Sequence, residues 1–272
     1  METHLNNGKR LAGKVAIVTG AGTRGPEVGV GQAISILFAR QGAKVLLVDL
    51  NRQNAETTLT TIQAKGGEAS RFQADVSRND DCQALVEAAL ERYGALHILV
   101  NNVGISGYGS VVDVKEEVWD KVFEVNLKSM MLTSRYAVPK IIEAGGGSII
   151  NISSVDALRG GTWYNIPYAA SKGGVITLTK HMAVHHGRDN IRVNCIAPGM
   201  IYSSMISDRV TPELRELRRQ AAPLGVEGTA WDIAWAAVFL ASDESRWITG
   251  VTLPVDAGLS AASPITTLVD PR

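Results

Sequence analysis

Seven short apolar runs recur along the chain: Val15–Thr19, Lys44–Asp49, Ala69–Ala74, Leu96–Asn101, Ser148–Ile152, Arg192–Ile196 and Val251–Val255. Most are apolar at every position, as strands of a parallel sheet must be when helices cover both faces. Between them lie helical patterns, roughly Val30–Gln41, Gln53–Lys65, Asp80–Tyr93, Glu116–Ile142, Tyr168–Gly187 and Thr229–Leu240. Strands alternating with helices predict a three-layer α/β fold, a doubly wound parallel sheet of seven strands. No repeat or linker divides the 272 residues, so a single domain is expected, with its core over about 10–258. Two zones fall outside the pattern. The segment 201–228, with a short helical patch, is expected to be a mobile loop over substrate. The tail 259–272 is expected either to be disordered or to pack on a neighbouring subunit.

Charge narrows the partners. Lys plus Arg and Asp plus Glu both number 27, and no basic run occurs. Neither nucleic acid nor an anionic membrane is therefore an expected partner. Cys82 and Cys195 stand far apart, which is neither a disulfide framework nor a zinc pattern and fits a reducing compartment. No apolar signal core or membrane-length run is present, so a soluble cytoplasmic protein is expected.

The stretch TGAGTRGPEVGVGQA, Thr19 to Ala33, carries five glycines directly behind the first strand. A glycine turn there lets backbone N–H groups approach a pyrophosphate at a helix N-terminus. Gly20, Gly22 and Gly25 spell G-x-G-x-x-G, but the apolar stripe Val30, Ala33, Ile34, Leu37, Phe38 phases a helix that starts around Gly29–Gly31. The ligand glycines are then Gly20, Gly29 and Gly31. Gly22–Val28 becomes extra loop, expected to bulge over the adenosine side of the cleft with Arg24 near the cofactor. Asp49 ends the second strand, 18 residues beyond Gly31, where a carboxylate can accept the adenosine ribose hydroxyls and repel a 2′-phosphate. NAD is expected as cofactor. Arg24, able to neutralise a phosphate, keeps NADP open.

Tyr168 and Lys172 stand at i and i+4, on one helix face. A phenol titrates near 10, too high for a base near neutrality. An adjacent ammonium and a nicotinamide cation would lower that value. Such a tyrosine can take a proton from an alcohol, or return one to a carbonyl, as hydride moves. Tyr136 and Lys140 repeat the spacing, but with a proline between them and no strand-end hydroxyl upstream. Ser154 ends a strand 14 residues before Tyr168, where it can hold a substrate oxygen. Tyr136 is accordingly expected to be a packing residue.

These motifs, with Asp75-Val76, Asn101-Asn102-Val103-Gly104, Asn126 in VNL, Asn194, Pro198-Gly199 and the closing VTLPVDAG, make the chain resemble the short-chain dehydrogenase/reductases over roughly residues 10 to 258. The resemblance implies a Rossmann-like fold. Tyr168 would be the general acid/base, Ser154 would polarise the substrate oxygen, and Lys172 would bind the nicotinamide ribose. Asn126 would hold a water linking Lys172 to solvent. The cofactor cleft would be lined by Gly20, Arg24, Gly29, Val30, Gly31, Asp49, Leu50, Asp75, Val76, Asn102, Gly104, Pro198, Gly199, Ile201 and Ser203, with Tyr168 and Lys172. The family's usual form is a homotetramer, less often a dimer.

The first loop departs from the family's TGxxxGxG by five additional residues, Val103 replaces a usual alanine, and Ser203 stands where many relatives carry threonine. Flanking the catalytic set, Ser106, Asp156, Trp163, Tyr164, Met200, Tyr202 and Met205 suggest a partly apolar pocket for a cyclic or aromatic secondary alcohol. The expected activity is NAD(H)-dependent interconversion of a secondary alcohol and a ketone. The alternatives are an NADPH-dependent 3-oxoacyl-thioester reductase and a non-catalytic dinucleotide sensor. His181 and His185 lack a third ligand at suitable spacing, so no metal is expected.

Overall fold

The computed structural model describes residues 9–161 and 163–263. Seven strands form one sheet: β1 (Val15–Thr19), β2 (Lys44–Asp49), β3 (Ala69–Gln73), β4 (Ile98–Asn101), β5 (Gly147–Ile152), β6 (Ile191–Pro198) and β7 (Thr252–Val255). Their order is β3-β2-β1-β4-β5-β6-β7, and every pairing is parallel. The helices are α1 (Val30–Arg40), α2 (Arg52–Gln63), α3 (Asn79–Tyr93), α4 (Glu116–Phe123), α5 (Ser129–Glu143), α6 (Ile166–His186), α7 (Pro212–Gln220) and α8 (Ala230–Ala241). The order in which strands are added reverses between β1 and β4, so the crevice of a doubly wound sheet opens there, at the strands' C-terminal ends.

The period of two explains the wholly apolar strands. Ala16, Val18, Val45, Leu47, Ile150 and Ile152 pack with Ile34, Leu37 and Phe38 of α1 and Ile233 and Val238 of α8. Ile17, Leu46, Val48, Leu99, Ile149 and Val193 pack on the other face with α3, α5 and α6, through Leu85, Leu132, Ile141 and Met182. The five inner strands bury both faces, while the edge strands β3 and β7 are only partly covered, and the sheet is the middle layer of three.

The helix predicted over Glu116–Ile142 needs correcting. It is α4 and α5 joined by a π-helical turn, Glu124–Lys128, which carries Asn126. The extra residue shifts the apolar phase by about 100°, but α4 before it is only 8 residues long, too short a stretch for its pattern to show the break. The helix start at Val30 agrees with the apolar stripe, and Gly29 is its N-cap.

Within 201–228, only α7 is regular, with Thr211 Oγ1 accepting from Leu214 N and Pro212 at the first helical position. Of the anticipated tail, 264–272 lie outside the described residues. Leu259 is buried with Val155 and Ala222, and its carbonyl accepts from Arg159 Nη1 at 2.7 Å. No helix among the described residues is long and apolar enough to cross a membrane.

Candidate active site

After β1 the chain turns at Gly20, whose φ of +63° lies in the left-handed region. A Cβ at Gly31 would stand 2.0 Å from the Gly20 carbonyl oxygen and 2.6 Å from Asn102 Nδ2. The first turn of α1 is thus drawn so tightly against the end of β1 that only glycine fits. Asn102 closes the arrangement from β4, its Nδ2 donating to the Thr19 and Gly20 carbonyls at 3.0 and 3.1 Å. The free N–H groups of α1 consequently open onto the crevice, where an anion is favoured.

The extra loop is tied to the second strand. Gly22 N donates to Asp49 Oδ2 at 3.0 Å and Asn51 N to Oδ1 at 2.9 Å, leaving further lone pairs on both carboxylate oxygens. Thr23 Oγ1 donates to the Glu27 carbonyl at 2.6 Å, folding the tip back on itself. Arg24 and Gly25 line a crevice of about 1020 Å³ together with Asp49, Leu50 and Asn51. Of the extra loop, Arg24 and Gly25 thus share this crevice with Asp49.

The chemical end lies where β5 meets α6. Tyr168 sits in the first turn of α6, Lys172 one turn on, and Ser153 Oγ donates to the Lys172 carbonyl at 2.8 Å, pinning helix to strand. The Ser154 hydroxyl stands close enough to the Tyr168 phenol to favour its ionised form. Ser154 Oγ also accepts from Asp156 N at 3.1 Å, which holds the hydroxyl at the start of a short turn. Lys172 is 2 % exposed; its Nζ donates to the Ile152 carbonyl at 2.7 Å and lies 5.8 Å from the centre of the Tyr168 ring. Asn126 Oδ1 accepts from Ile105 N at 2.8 Å, while Nδ2 donates to the Ile105 carbonyl at 3.0 Å and to Ser171 Oγ at 3.1 Å. Lys172 and Asn126 converge on Gly104, where a Cβ would be 3.2 Å from Nζ.

Comparison with known proteins agrees with this geometry. A family model described as Enoyl-(Acyl carrier protein) reductase matches residues 25–260. The chain is 38 % identical over 250 residues to the 3-oxoacyl-[acyl-carrier-protein] reductase FabG of Thermotoga maritima, covering 92 % of this chain and 99 % of that one. It is 38 % identical to the 2,5-dichloro-2,5-cyclohexadiene-1,4-diol dehydrogenase LinX of Sphingobium indicum, covering 92 % and 98 %. A crystal structure from Burkholderia xenovorans, assigned to the short-chain dehydrogenase/reductases, superposes with a TM-score of 0.89 at 38 % identity, covering 94 % and 99 %. The chain is a short-chain dehydrogenase/reductase.

As a member of that family it is an oxidoreductase that uses an NAD(P) nucleotide. The residues fit such a group: Gly31 lets the first turn of α1 lie against the end of β1 with no side chain between, and Asp49 keeps acceptor capacity in a crevice that Arg24 also lines.

Electrostatics corrects one expectation. Burial pushes the Tyr168 phenol up to about 12; the Ser154 hydroxyl pulls it down and the Asp156 carboxylate pushes it further up. Burial likewise pushes Lys172 down to about 8, partly countered by the Cys195 thiol. Desolvation thus pushes both groups towards their neutral forms, so these side chains by themselves keep the phenol protonated at neutral pH.

Other predicted site residues divide. Burial works against the charge of Asp75, but hydrogen bonds from Ser77 N and Oγ, at 3.0 and 2.7 Å, outweigh it and hold its carboxyl below the ordinary value. Val76 is buried in the core on the α3 side of the sheet, Val30 packs against the core on the opposite side, and Ser203 is buried. Gly199 N donates to the Val255 carbonyl at 2.9 Å, and a Cβ there would meet Asp256, so Pro198-Gly199 hold β6 against β7. Met200 packs with Val155 and Ala222, and Tyr202 lies under the Arg215 guanidinium, 3.8 Å from its ring centre. Trp163, Tyr164 and Met205 are exposed. Ser106 Oγ accepts from Arg209 Nη1 at 3.4 Å, and the same nitrogen donates to Tyr108 at 2.9 Å, bridging segment 201–228 to the loop after β4. Tyr136 packs against the core and donates to Asn79 Oδ1 at 2.9 Å, as a packing residue should. No group of three or more metal-ligating side chains occurs among the described residues.

Sequence reasoning missed the Ile152 carbonyl that holds Lys172, because a backbone atom leaves no mark in composition. It also missed the arginines of 201–228. Their number within so short a segment was the available signal.

Proposed function

We propose that this enzyme interconverts a secondary alcohol and a ketone with NAD(H), using Ser154, Tyr168, Lys172 and Asn126. The observation that carries the reading is the buried Lys172, held at the Ile152 carbonyl with its Nζ 5.8 Å from the centre of the Tyr168 ring, one turn behind a phenol that has Ser154 beside it. A bound nicotinamide dinucleotide supplies the hydride to the carbonyl carbon, or accepts it from the carbinol. Ser154 holds the substrate oxygen, and Tyr168 gives that oxygen a proton or takes one. Lys172 places a positive charge behind the phenol, and Asn126 positions the loop at Ile105 over the same site. A cyclic or aromatic substrate, a cytoplasmic location and a homotetramer belong to the same reading; light scattering gives the assembly mass directly.

The experiment is a panel of cyclic and aromatic alcohols and ketones followed by NADH absorbance, in parallel with NADPH. Turnover with NAD(H) and ketone–alcohol exchange supports the reading. Dinucleotide binding without turnover across the panel supports a sensor instead. An NADPH-dependent 3-oxoacyl-thioester reductase is the second reading, favoured by Arg24 in the crevice and by the Thermotoga relative. Asp49 argues against it, since a carboxylate there repels a 2′-phosphate. Asp49→Ser is expected to shift the NAD to NADP ratio of kcat/KM towards NADP by about tenfold or more. An unchanged ratio would remove Asp49 as the discriminator.

The pH dependence has a definite sign. Ketone reduction needs the protonated phenol and alcohol oxidation the phenolate, so kcat for oxidation should rise with pH while kcat for reduction falls at alkaline pH. Parallel profiles in the two directions would argue against Tyr168 as the proton carrier.

A further inference from the structure

Four arginines stand on the segment 201–228: Arg209, Arg215, Arg218 and Arg219. Three have a carboxylate: Arg209 is 3.7 Å from Asp208, Arg215 pairs with Glu227 and Arg219 lies 2.6 Å from Glu216. Arg218 does not. Among the described residues no carboxylate lies within 4.0 Å of its guanidinium, and its one hydrogen bond runs from Nη2 to the Ile201 carbonyl at 3.1 Å. It is nevertheless half-buried, and desolvation lowers its pKa, with Asp156 and Glu227 opposing. The pairing of Arg215 and Arg219 instead raises theirs. A cation taken partly out of water without a counter-ion is costly, and a ligand anion relieves that cost.

The position of Arg218 says which ligand. The residues just past α7, Ala221 and Ala222, pack with Met200 and with Val155, the residue after Ser154. Asp156, next along, is close enough to act electrostatically on both Arg218 and Tyr168. Asp156 Oδ2 is itself held by Asn165 Nδ2 at 2.9 Å. The guanidinium is fixed at the Ile201 carbonyl, beside Met200, and so lies on the side of the segment that meets the residue after Ser154. Its planar fork of donors suits a carboxylate.

We propose that Arg218 binds an anionic group of the substrate, so that the substrate is a ketone or secondary alcohol bearing a carboxylate. This rests on the alcohol–ketone reading above. The competing anion is the cofactor's own pyrophosphate, and the test separates the two.

The measurement is kcat/KM for a series of cyclic and aryl keto acids of increasing tether, each beside its methyl ester. Wild type, Arg218→Met and Arg218→Lys are compared, and dinucleotide affinity is titrated separately by fluorescence. Wild type should prefer acids to esters. Arg218→Met should lose about a hundredfold on acids, the scale for removing one partner of a buried charge pair. It should stay within about threefold on esters, as a change away from the bound group would. Arg218→Lys should fall between, keeping charge but not the fork. Three results would overturn the proposal: wild type treating acid and ester alike, equal losses on both, or weakened dinucleotide binding in Arg218→Met. The wild-type comparison decides even if Arg218→Met does not fold. If no ketone of either kind is reduced and Tyr168→Phe changes nothing measurable, the alcohol–ketone reading itself has failed, and this proposal with it.

Discussion

Tyr168→Phe should lower kcat roughly a thousandfold to ten-thousandfold in both directions, the range expected when a positioned general acid or base is removed. The substitution deletes one oxygen and leaves the ring packed on the first turn of α6, so no cavity forms. Dinucleotide affinity and melting temperature should therefore stay close to wild type, and the loss should fall on kcat. The partner group makes the comparison sharper. Ser154→Ala removes the hydroxyl beside the phenol but leaves a proton carrier in place. Its loss should be smaller, about a hundredfold, as for one donor to a reacting oxygen. A Tyr168→Phe enzyme that retained most of its turnover would move proton transfer to another group.

Gly31→Ala carries the second large effect. The added Cβ would stand 2.0 Å from the Gly20 carbonyl oxygen, a distance no pair of such atoms tolerates. Either α1 or the Gly20 turn must move, and both belong to the dinucleotide end of the crevice. The expected cost is about 3 kcal/mol of stability, the upper range for overpacking. Dinucleotide binding should fall below detection in an ordinary titration. Gly25→Ala is the control. Its φ of +72° disfavours a side chain, but no atom lies within 4 Å of the added Cβ. That variant should cost about 1 kcal/mol and leave cofactor affinity nearly intact. Comparable damage at both positions would restore Gly20-x-Gly22-x-x-Gly25 as the working fingerprint.

Those two glycines show how far the sequence reading carried. Strand and helix order followed from apolar period alone, because each inner strand had to satisfy two helix layers at once. The start of α1 was legible for the same reason: its apolar stripe has one phase. Tyr168, Lys172 and Ser154 were legible through spacing, since i and i+4 on a helix share a face. What stayed hidden was chemistry set by desolvation. Nothing in the spacing of Tyr168 and Lys172 says that desolvation raises the one pKa and lowers the other. Backbone partners were equally invisible, as with the Ile152 carbonyl under Lys172. The contacts of segment 201–228 were hidden because its side chains meet residues a hundred positions away, as Arg209 meets Ser106 and Tyr108.

The π-helical turn at Glu124–Lys128 has a bearing on how this stretch can change over evolutionary time. Such a turn amounts to one residue added to an otherwise regular helix. Removing a residue there would restore ordinary helical bonding while rotating everything downstream by about 100°. Met130, Thr133, Ala137 and Ile141, which α5 now buries, would turn away from the sheet. The Asn126 amide would at the same moment release Ile105. Length is thus frozen across this junction while the exposed side chains around it stay free to vary: substitutions can accumulate there, but deletions cannot.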